Sequence, residues 1–590
     1  MSGDLYSIPN ASTDSLRISR RPRNSIELTD NDIEFTDDDT ENLNLGNSVP
    51  IMDDIRVVVS IDFGTTFSGF AYAHIYDNEG RDETNFDYHT NEEKWLNSKT
   101  NTALLYDKEF NDVLEWGEEA LTGVNDSTSR PVELFKLGLS KLELGLNKLE
   151  IGSNKLVKNL KLNLPTQLHP VEEQRYKRAI TDYLKKMVYS YRAKQIMREC
   201  ASNANLISEV GSDKLQFITE PEAAAIYCMT KNSLRRSLGK DESNFLIVDC
   251  GGGTVDLTMR KLLSNYEVAL SEVTECTGDF CGSVFIDQEF LKFLGEIVGH
   301  EAIELLCEEN YSQMQFMIRV FCQEVKTKYT GEENFSYEFE LGRTCRALKN
   351  HVTREIKLLL DKKDWIIKIC GNDVKKMFDP VIEKIIQLVR LQLKNSRNTC
   401  SAIFMVGGFS ASKYLQERIK KEFKNDVKYI LTPPKPVAAI VNGAVVYGLR
   451  NNAECDAKVP LSKPIILDRM LKYTYGVEHE NSQEFHILAK RGTQAKIDQK
   501  FEFISIPVVP DQSSMFFKLH ISQNDEPKKC NEEGVQLLGE LEIDLPDVSL
   551  GCDRQVKFSI CFAEEEIKVF AVNLQNGQNY HATFNLDAES

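Results

Sequence analysis

Three short stretches of the chain carry residue types suited to holding a phosphate group. The first is Asp62-Phe63-Gly64-Thr65-Thr66-Phe67-Ser68-Gly69 and the second is Asp249-Cys250-Gly251-Gly252-Gly253-Thr254-Val255-Asp256. The third is Val406-Gly407-Gly408-Phe409-Ser410. Each follows an apolar run. Glycine lets backbone amides approach phosphate oxygens with no Cβ in the way, and Thr and Ser hydroxyls add donors. Asp62 and Asp249, at the ends of the first two runs, are placed to hold hydrated magnesium or to orient a water. GxxxxGK[ST] is absent, which sets aside a P-loop, and GxGxxG is absent from the strand ends, which weakens a dinucleotide reading. One such turn alone is better explained by tight local geometry. Two Asp–Gly–Thr turns about 190 residues apart, with a third ahead of a helix, are hard to obtain by chance.

The elements that must position these turns are legible in the hydrophobic pattern. IRVVVSIDFG, from Ile55, is β-branched and nearly continuous, which predicts a buried strand, and FSGFAYAHIY predicts the second strand of a hairpin. VEEQRYKRAITDYLKKMVYSYRAKQIM, between Pro170 and Cys200, has the period of a long amphipathic helix. LQFITE reads as a strand, PEAAAIYCM as a helix and FLIVDCGGG as another strand. A largely helical stretch runs from about 285 to 425, interrupted by the strand SAIFMVGG. Beyond about 455 the character changes: FEFISIPVV, MFFKLHIS, QVKFSICF, IKVFAVNL and YHATFNL are short alternating segments, the signature of a separate all-β domain. A seven-residue repeat begins at Lys141, Lys148 and Lys155, but Gly138, Gly145 and Gly152 recur inside it. Each costs about 1 kcal/mol in a helix, so the repeat reads as an expanded surface loop and not a coiled coil.

Composition limits the partners. Among 590 residues, 90 acids face 71 bases, a formal charge of −19 that repels nucleic acid and anionic lipid. No apolar stretch approaches the roughly 20 residues that span a bilayer, and MSGDLYSIPN lacks the basic-then-apolar order of a secretory signal. The 14 cysteines form no CxxC pair and sit mostly in apolar runs, as free buried thiols do. A cytoplasmic protein, with no nucleic-acid partner and no membrane insertion, is the economical expectation. Residues 1–54 read as a disordered tail: Arg17, Arg20, Arg21 and Arg23, then eight acids from Glu27 to Glu41. Ser25 and Thr36 there are either phosphoacceptors or part of a plain solvated tail.

Residues 56 to about 450 resemble the actin-like ATPase superfamily and, within it, the seventy-kilodalton heat-shock chaperones. DFGTTFSG resembles their first phosphate loop, DCGGGTVD the second and VGGFSASKYLQ the adenosine motif. FITEPEAAAIY and, more loosely, VAAIVNGAVVYGL resemble the two connecting helices. The resemblance implies an α/β fold: a duplicated ribonuclease-H-like domain of two lobes over 55–452, then a small all-β sandwich-like domain over 465–590. It implies ATP and Mg²⁺ as ligands. Gly64, Thr65 and Thr66 would meet the β- and γ-phosphates, and Asp62 and Asp249 the magnesium through water. Gly251, Gly252, Gly253 and Thr254 would cradle the terminal phosphate, Asp256 would support the surroundings of the attacking water, and Glu220 would position that water. Lys136 falls where the family keeps a phosphate-stabilising lysine, or is a surface lysine. Gly407, Gly408 and Ser410 would contact ribose and adenine.

Departures from the family pattern are informative. In Phe321-CQEVKTKY, Lys326 keeps the adenine-clamp lysine, but Gln323 and Thr327 replace the glutamate and the stacking arginine. Lys328 lacks the planar face that would substitute. Gly282-Ser283 stands for a double glycine. These features and YTYGV (473–477) resemble the family's divergent member-twelve branch. Ile465-Ile466-Leu467-Asp468 echoes the interdomain linker or is an ordinary strand. Only DAES follows Leu586, so a helical lid and a co-chaperone tail are not expected. Two functions remain open: slow ATP hydrolysis coupled to binding of protein or peptide clients, or a nucleotide-gated scaffold, a pseudo-ATPase. A sugar kinase is disfavoured, because an added β domain has no use in that reaction.

Overall fold

The computed structural model describes most of residues 57–585, its larger gaps being 75–98, 123–130, 137–167, 188–200 and 452–465. The acidic tail, the lysine–glycine repeat and the second half of the long predicted helix lie outside the described residues. Strand β1 (Val57–Phe63) pairs antiparallel with β2 (Phe67–His74), which continues to β3 (Thr100–Asn101). This is the hairpin the alternating pattern predicts. Helix α1 (Glu172–Met187) buries Tyr176, Ile180 and Tyr183 from one face, in a cluster with Phe63 and Phe135.

Leu215–Glu220 departs from expectation. No strand forms over 215–219; Thr219 is instead the extended N-cap of helix α2 (Glu220–Thr230). Its hydroxyl accepts from the Glu222 amide while Glu222 accepts from the Thr219 amide, with Pro221 in the first turn. That reciprocal cap satisfies two orphan amides, and Phe217 is buried without a ladder of its own.

A second sheet is built from β4 (Ser243–Cys250), β5 (Val255–Leu262), β6 (Leu270–Glu272), β7 (Thr277–Asp279), β8 (Cys400–Val406) and β9 (Tyr429–Leu431). Its order is β7-β5-β4-β8-β9, with β6 also paired to β5. β4 and β8 run parallel and are buried along nearly their whole length, as strands covered on both faces must be. The helix-rich stretch between them also holds two strands that sequence reading missed, Ser336–Glu340 and Ile366–Cys370, paired antiparallel.

Helix α3 (Ala439–Asn451) lies against α2 and against β1. The Ser60 hydroxyl donates to the Val441 carbonyl (2.6 Å), and Val441 and Val445 share a cluster with Ala71. At the α2–α3 crossing a Cβ on Gly443 would lie 1.7 Å from the Ala223 carbonyl oxygen. Backbone cannot yield as a side chain can, so Gly443→Ala should cost about 1–3 kcal/mol, read as a lower denaturant midpoint with unchanged slope.

Beyond Ile466 the described residues form strands, with one 3-10 segment over Val548–Asp553. A short pair joins β10 (Asp468–Met470) to β13 (Gln494–Lys496). One four-stranded sheet contains β11 (Thr474–His479), β12 (His486–Ala489), β15 (Ser514–Ser522) and β16 (Val535–Asp544), ordered β12-β11-β15-β16. The other contains β14 (Lys500–Ser505), β17 (Val556–Ala563), β18 (Glu566–Asn573) and β19 (Asn579–Asn585) in that order. Val477 and Phe517 from the first share a core with Phe558 and Val569 from the second. Ile466 joins the cluster of α2 and β4, and the Leu467 amide donates to the Leu270 carbonyl (2.9 Å). The described cysteines are free thiols, with Cys228, Cys250, Cys281, Cys345, Cys400 and Cys561 buried. No helix among the described residues is long and apolar enough to cross a membrane.

Candidate functional site

The three glycine turns converge. Asp62 and Asp249 are the penultimate residues of β1 and β4, where the pleat aims both carboxylates into the protein; each is 3% exposed. The β4–β5 register sets Asp249 directly opposite Asp256. Between them, Gly251 donates its amide to the Thr254 carbonyl (3.0 Å), closing the turn. A Cβ on Gly252 would fall 2.0 Å from the Thr66 hydroxyl of the first turn, so the two loops abut and only glycine fits. The amides of Gly282 and Ser283 donate to the carbonyls of Gly253 and Gly251 (3.0 and 3.1 Å). From the third turn, the Gly407 backbone lies against the Asp249 carboxylate and the Cys250 carbonyl.

Charge is concentrated here. Lys136 forms an ion pair with Glu220 (2.5 Å), the first residue of α2, and Lys99 forms one with Asp62. Burial works against both members of the first pair. Their mutual attraction wins, holding the Glu220 carboxyl below its usual range and the Lys136 ammonium above its own. The other carboxylates move the opposite way. Burial first, then Glu220, Asp256 and Asp62, raise Asp249 well above the ordinary aspartate value. Asp256 is pushed up to about 6, by burial and then Glu220, against a hydrogen bond from Thr254. Asp62 is raised by burial despite Lys99.

Four carboxylates thus face the ammonium groups of Lys99 and Lys136, with Lys472 acting on Asp256 as well, and Oδ1 of Asp249 is buried with no hydrogen-bond partner among the described residues. A buried acceptor without a donor is costly, and a hydrated divalent cation supplies both the missing donors and the missing positive charge. The residues present therefore fit magnesium.

Lys136, Glu220, Asp249, Asp256, Asp62 and the first two glycine loops are brought together. Lys326 is held on the neighbouring helix, its ammonium donating to the Ser283 carbonyl and to Asp287 (both 2.7 Å), in a π-helical turn over Cys322–Lys326. Lys328 pairs with Glu324 at the surface. The Ser410 hydroxyl is fully buried and donates to the Val406 carbonyl (2.6 Å), fastening its own turn, while a Cβ on Gly408 would meet Val437 at an ordinary contact distance of 3.9 Å. Lys99 is the residue sequence reading missed. It stands 37 positions from Asp62 on a separate strand's approach, and no local motif marks it.

A domain of unknown function (DUF8340) matches residues 239–432, which span the second glycine turn, the third and the strands that carry them. The chain is 24% identical to human Heat shock 70 kDa protein 12A over 469 residues, 66% of this chain and 68% of that protein, and the mouse protein matches to the same extent. It is 22% identical to human Heat shock 70 kDa protein 12B over 643 aligned positions, 90% of this chain and 91% of that protein. The mixed helix and strand composition and these relatives fit an actin-like ATPase fold.

Proposed function

The chain is a divergent relative of the seventy-kilodalton heat-shock family on its member-twelve branch, and from that premise we propose that it is an ATP-binding, chaperone-like switch with slow hydrolysis. The observation that carries this reading is the surplus of buried carboxylate around the orphaned Asp249 oxygen, beside two abutting glycine loops. In the finer reading, residues 55–452 form two lobes related by duplication, with the nucleotide between them. Residues 465–590 form a β sandwich that meets protein or peptide clients.

When bound, Mg²⁺ would neutralise phosphate charge and order water, with Asp62 and Asp249 holding it through that water. The rest falls to the chain. Backbone amides of Gly64, Thr65 and Thr66, and of Gly252 and Gly253, would hold phosphate oxygens, while the Gly251 amide and the Thr254 hydroxyl, bonded to the Thr254 carbonyl and to Asp256, fix the shape of the second loop. Glu220, kept ionised by Lys136, would accept a hydrogen bond from a water and orient it; Lys136 would meet the developing charge on the terminal phosphate. Contacts from both lobes would favour closure by their differential affinity for the closed state.

Calorimetric titration with Mg-ATP tests the reading: saturable binding supports it, and no binding at high ATP refutes it. Lys136→Ala should lower single-turnover hydrolysis at least about 10-fold while ATP still binds. The rival, a scaffold that binds ATP with little hydrolysis, draws on the altered adenine clamp. It would show binding with turnover indifferent to Lys136→Ala.

A further inference from the structure

The outer face of the β12-β11-β15-β16 sheet holds a buried trio with no role in the nucleotide site. Along β11 and β15, Tyr475 and Val477, and Leu519 and Ile521, point into the shared core. Strand alternation sends Glu478 and His520 to the opposite face, where a carboxylate and an imidazole ordinarily meet water. Here they do not. Glu478 is 6% and His520 6% exposed, covered by two segments outside the ladder, 482–485 and 528–530. These segments are fastened to one another: the Phe485 amide donates to the Lys528 carbonyl and the Cys530 amide to the Gln483 carbonyl (both 2.9 Å). The second carries Cys530 to the same point, so that one donor atom each from Glu478, His520 and Cys530 lies within 4.8 Å of the others.

From this cluster we infer a zinc site in the β region, with Glu478, His520 and Cys530 as ligands. Thiolate, imidazole and carboxylate together are a zinc ligand set, and three protein ligands leave one position for water. Donors about 2.0–2.3 Å from a tetrahedral zinc stand about 3.5 Å apart, so the trio needs only a small contraction. A second observation points the same way. The His520 Nε2 faces Glu478 Oε2 at 3.1 Å, but its Nδ1 is buried with no hydrogen-bond partner among the described residues. Nδ1 thus has no protein bond to give up, and an imidazole turned to offer it to an ion would satisfy that nitrogen. Around the trio, the Gln483 amide donates to Glu478 Oε1 (3.1 Å) and leaves Oε2 toward His520; the Cys530 thiol faces the Glu484 carbonyl (3.4 Å). Binding would release the thiol proton to solvent and fasten both covering segments to the sheet.

Cobalt is the probe. The full chain, reduced and stripped with a chelator, should take up one equivalent of Co²⁺ with a thiolate-to-cobalt charge-transfer band, and Zn²⁺ should displace it. Cys530→Ser, in a partly exposed loop, should lose the band and bind Zn²⁺ at least about 10-fold more weakly, whereas Cys276→Ser should keep both. Zn²⁺ should raise the melting temperature of the wild type and not of Cys530→Ser. Glu478→Gln, close in shape to the native side chain, gives a second reading and should weaken cobalt uptake without altering the circular dichroism. A band that survives Cys530→Ser, or uptake unchanged in Glu478→Gln, would overturn the site. So would a wild type that binds neither ion against a competing chelator.

Discussion

Replacing Asp249 with asparagine will stabilise the ligand-free protein and weaken its hold on Mg-ATP, two effects of opposite sign from one change. Asp249 is buried opposite Asp256 in the strand register and close enough to Glu220 and Asp62 for each to raise its pKa. Like charges directly opposed across strands destabilise the pair, and burial adds a desolvation cost. An amide of the same shape removes both, which should raise stability by about 1–3 kcal/mol at neutral pH, a few degrees in melting temperature. The sign with pH follows from the direction of the shift. A carboxyl whose folded pKa lies above its unfolded value binds protons more tightly when folded, so it weakens the fold as pH rises above the unfolded value. The advantage of Asp249→Asn over the wild type should therefore shrink as pH falls from 7 toward 4. Mg-ATP affinity should drop about 10- to 100-fold, as for lost outer-sphere partners of a metal. Thermal melts across pH, paired with calorimetry, check both halves. A lower melting temperature for the variant at pH 7 would mean that the carboxylate is a net stabilising group.

Arg260→Met should be the most destabilising single change away from that site, at about 3–5 kcal/mol. Arg260 is 1% exposed on β5 and faces two buried acids, Glu222 (3.3 Å) and Glu272 (3.5 Å). Glu222 also caps α2 and binds Arg469 (2.9 Å), and Glu272 accepts the Met470 amide (2.8 Å). The Ser271 hydroxyl and Glu272 amide meet Asp468 as well (2.8 and 3.0 Å). One buried charge thus serves the sheet, the helix whose first residue is Glu220, and the chain entering the β region. Methionine fills the volume but leaves two carboxylates facing each other with one arginine between them. Arg469→Met should cost less, because Glu222 keeps Arg260. Urea unfolding of both variants decides the order; equal losses would show that the network is not centred on Arg260.

The strand-and-turn units were legible because they depend on neighbours in sequence. A β-branched run ending in Asp–x–Gly must form a strand that stops, and glycine at that stop is needed where two backbones meet. The five alternating segments of the β region formed strands for the same reason. Local rules failed where a competing local interaction was stronger, as at Leu215–Thr219, where Thr219 is taken by the helix cap. They failed also at the short pair Ser336–Glu340 with Ile366–Cys370, where each strand has only five residues and SYEFE is mostly polar and exposed, too brief a pattern to stand out among helices.

By itself, then, the sequence determined the glycine loops, their terminal aspartates and the helical character of the segment from Pro221, since each depends on contacts within a few residues. Only the tertiary structure decided which charges share a low-dielectric interior. Lys99 with Asp62, Arg260 with Glu222, and His520 with Glu478 join residues 37, 38 and 42 positions apart in the chain. Their energies arise from burial and proximity, and neither has a period or a spacing that a linear pattern can carry.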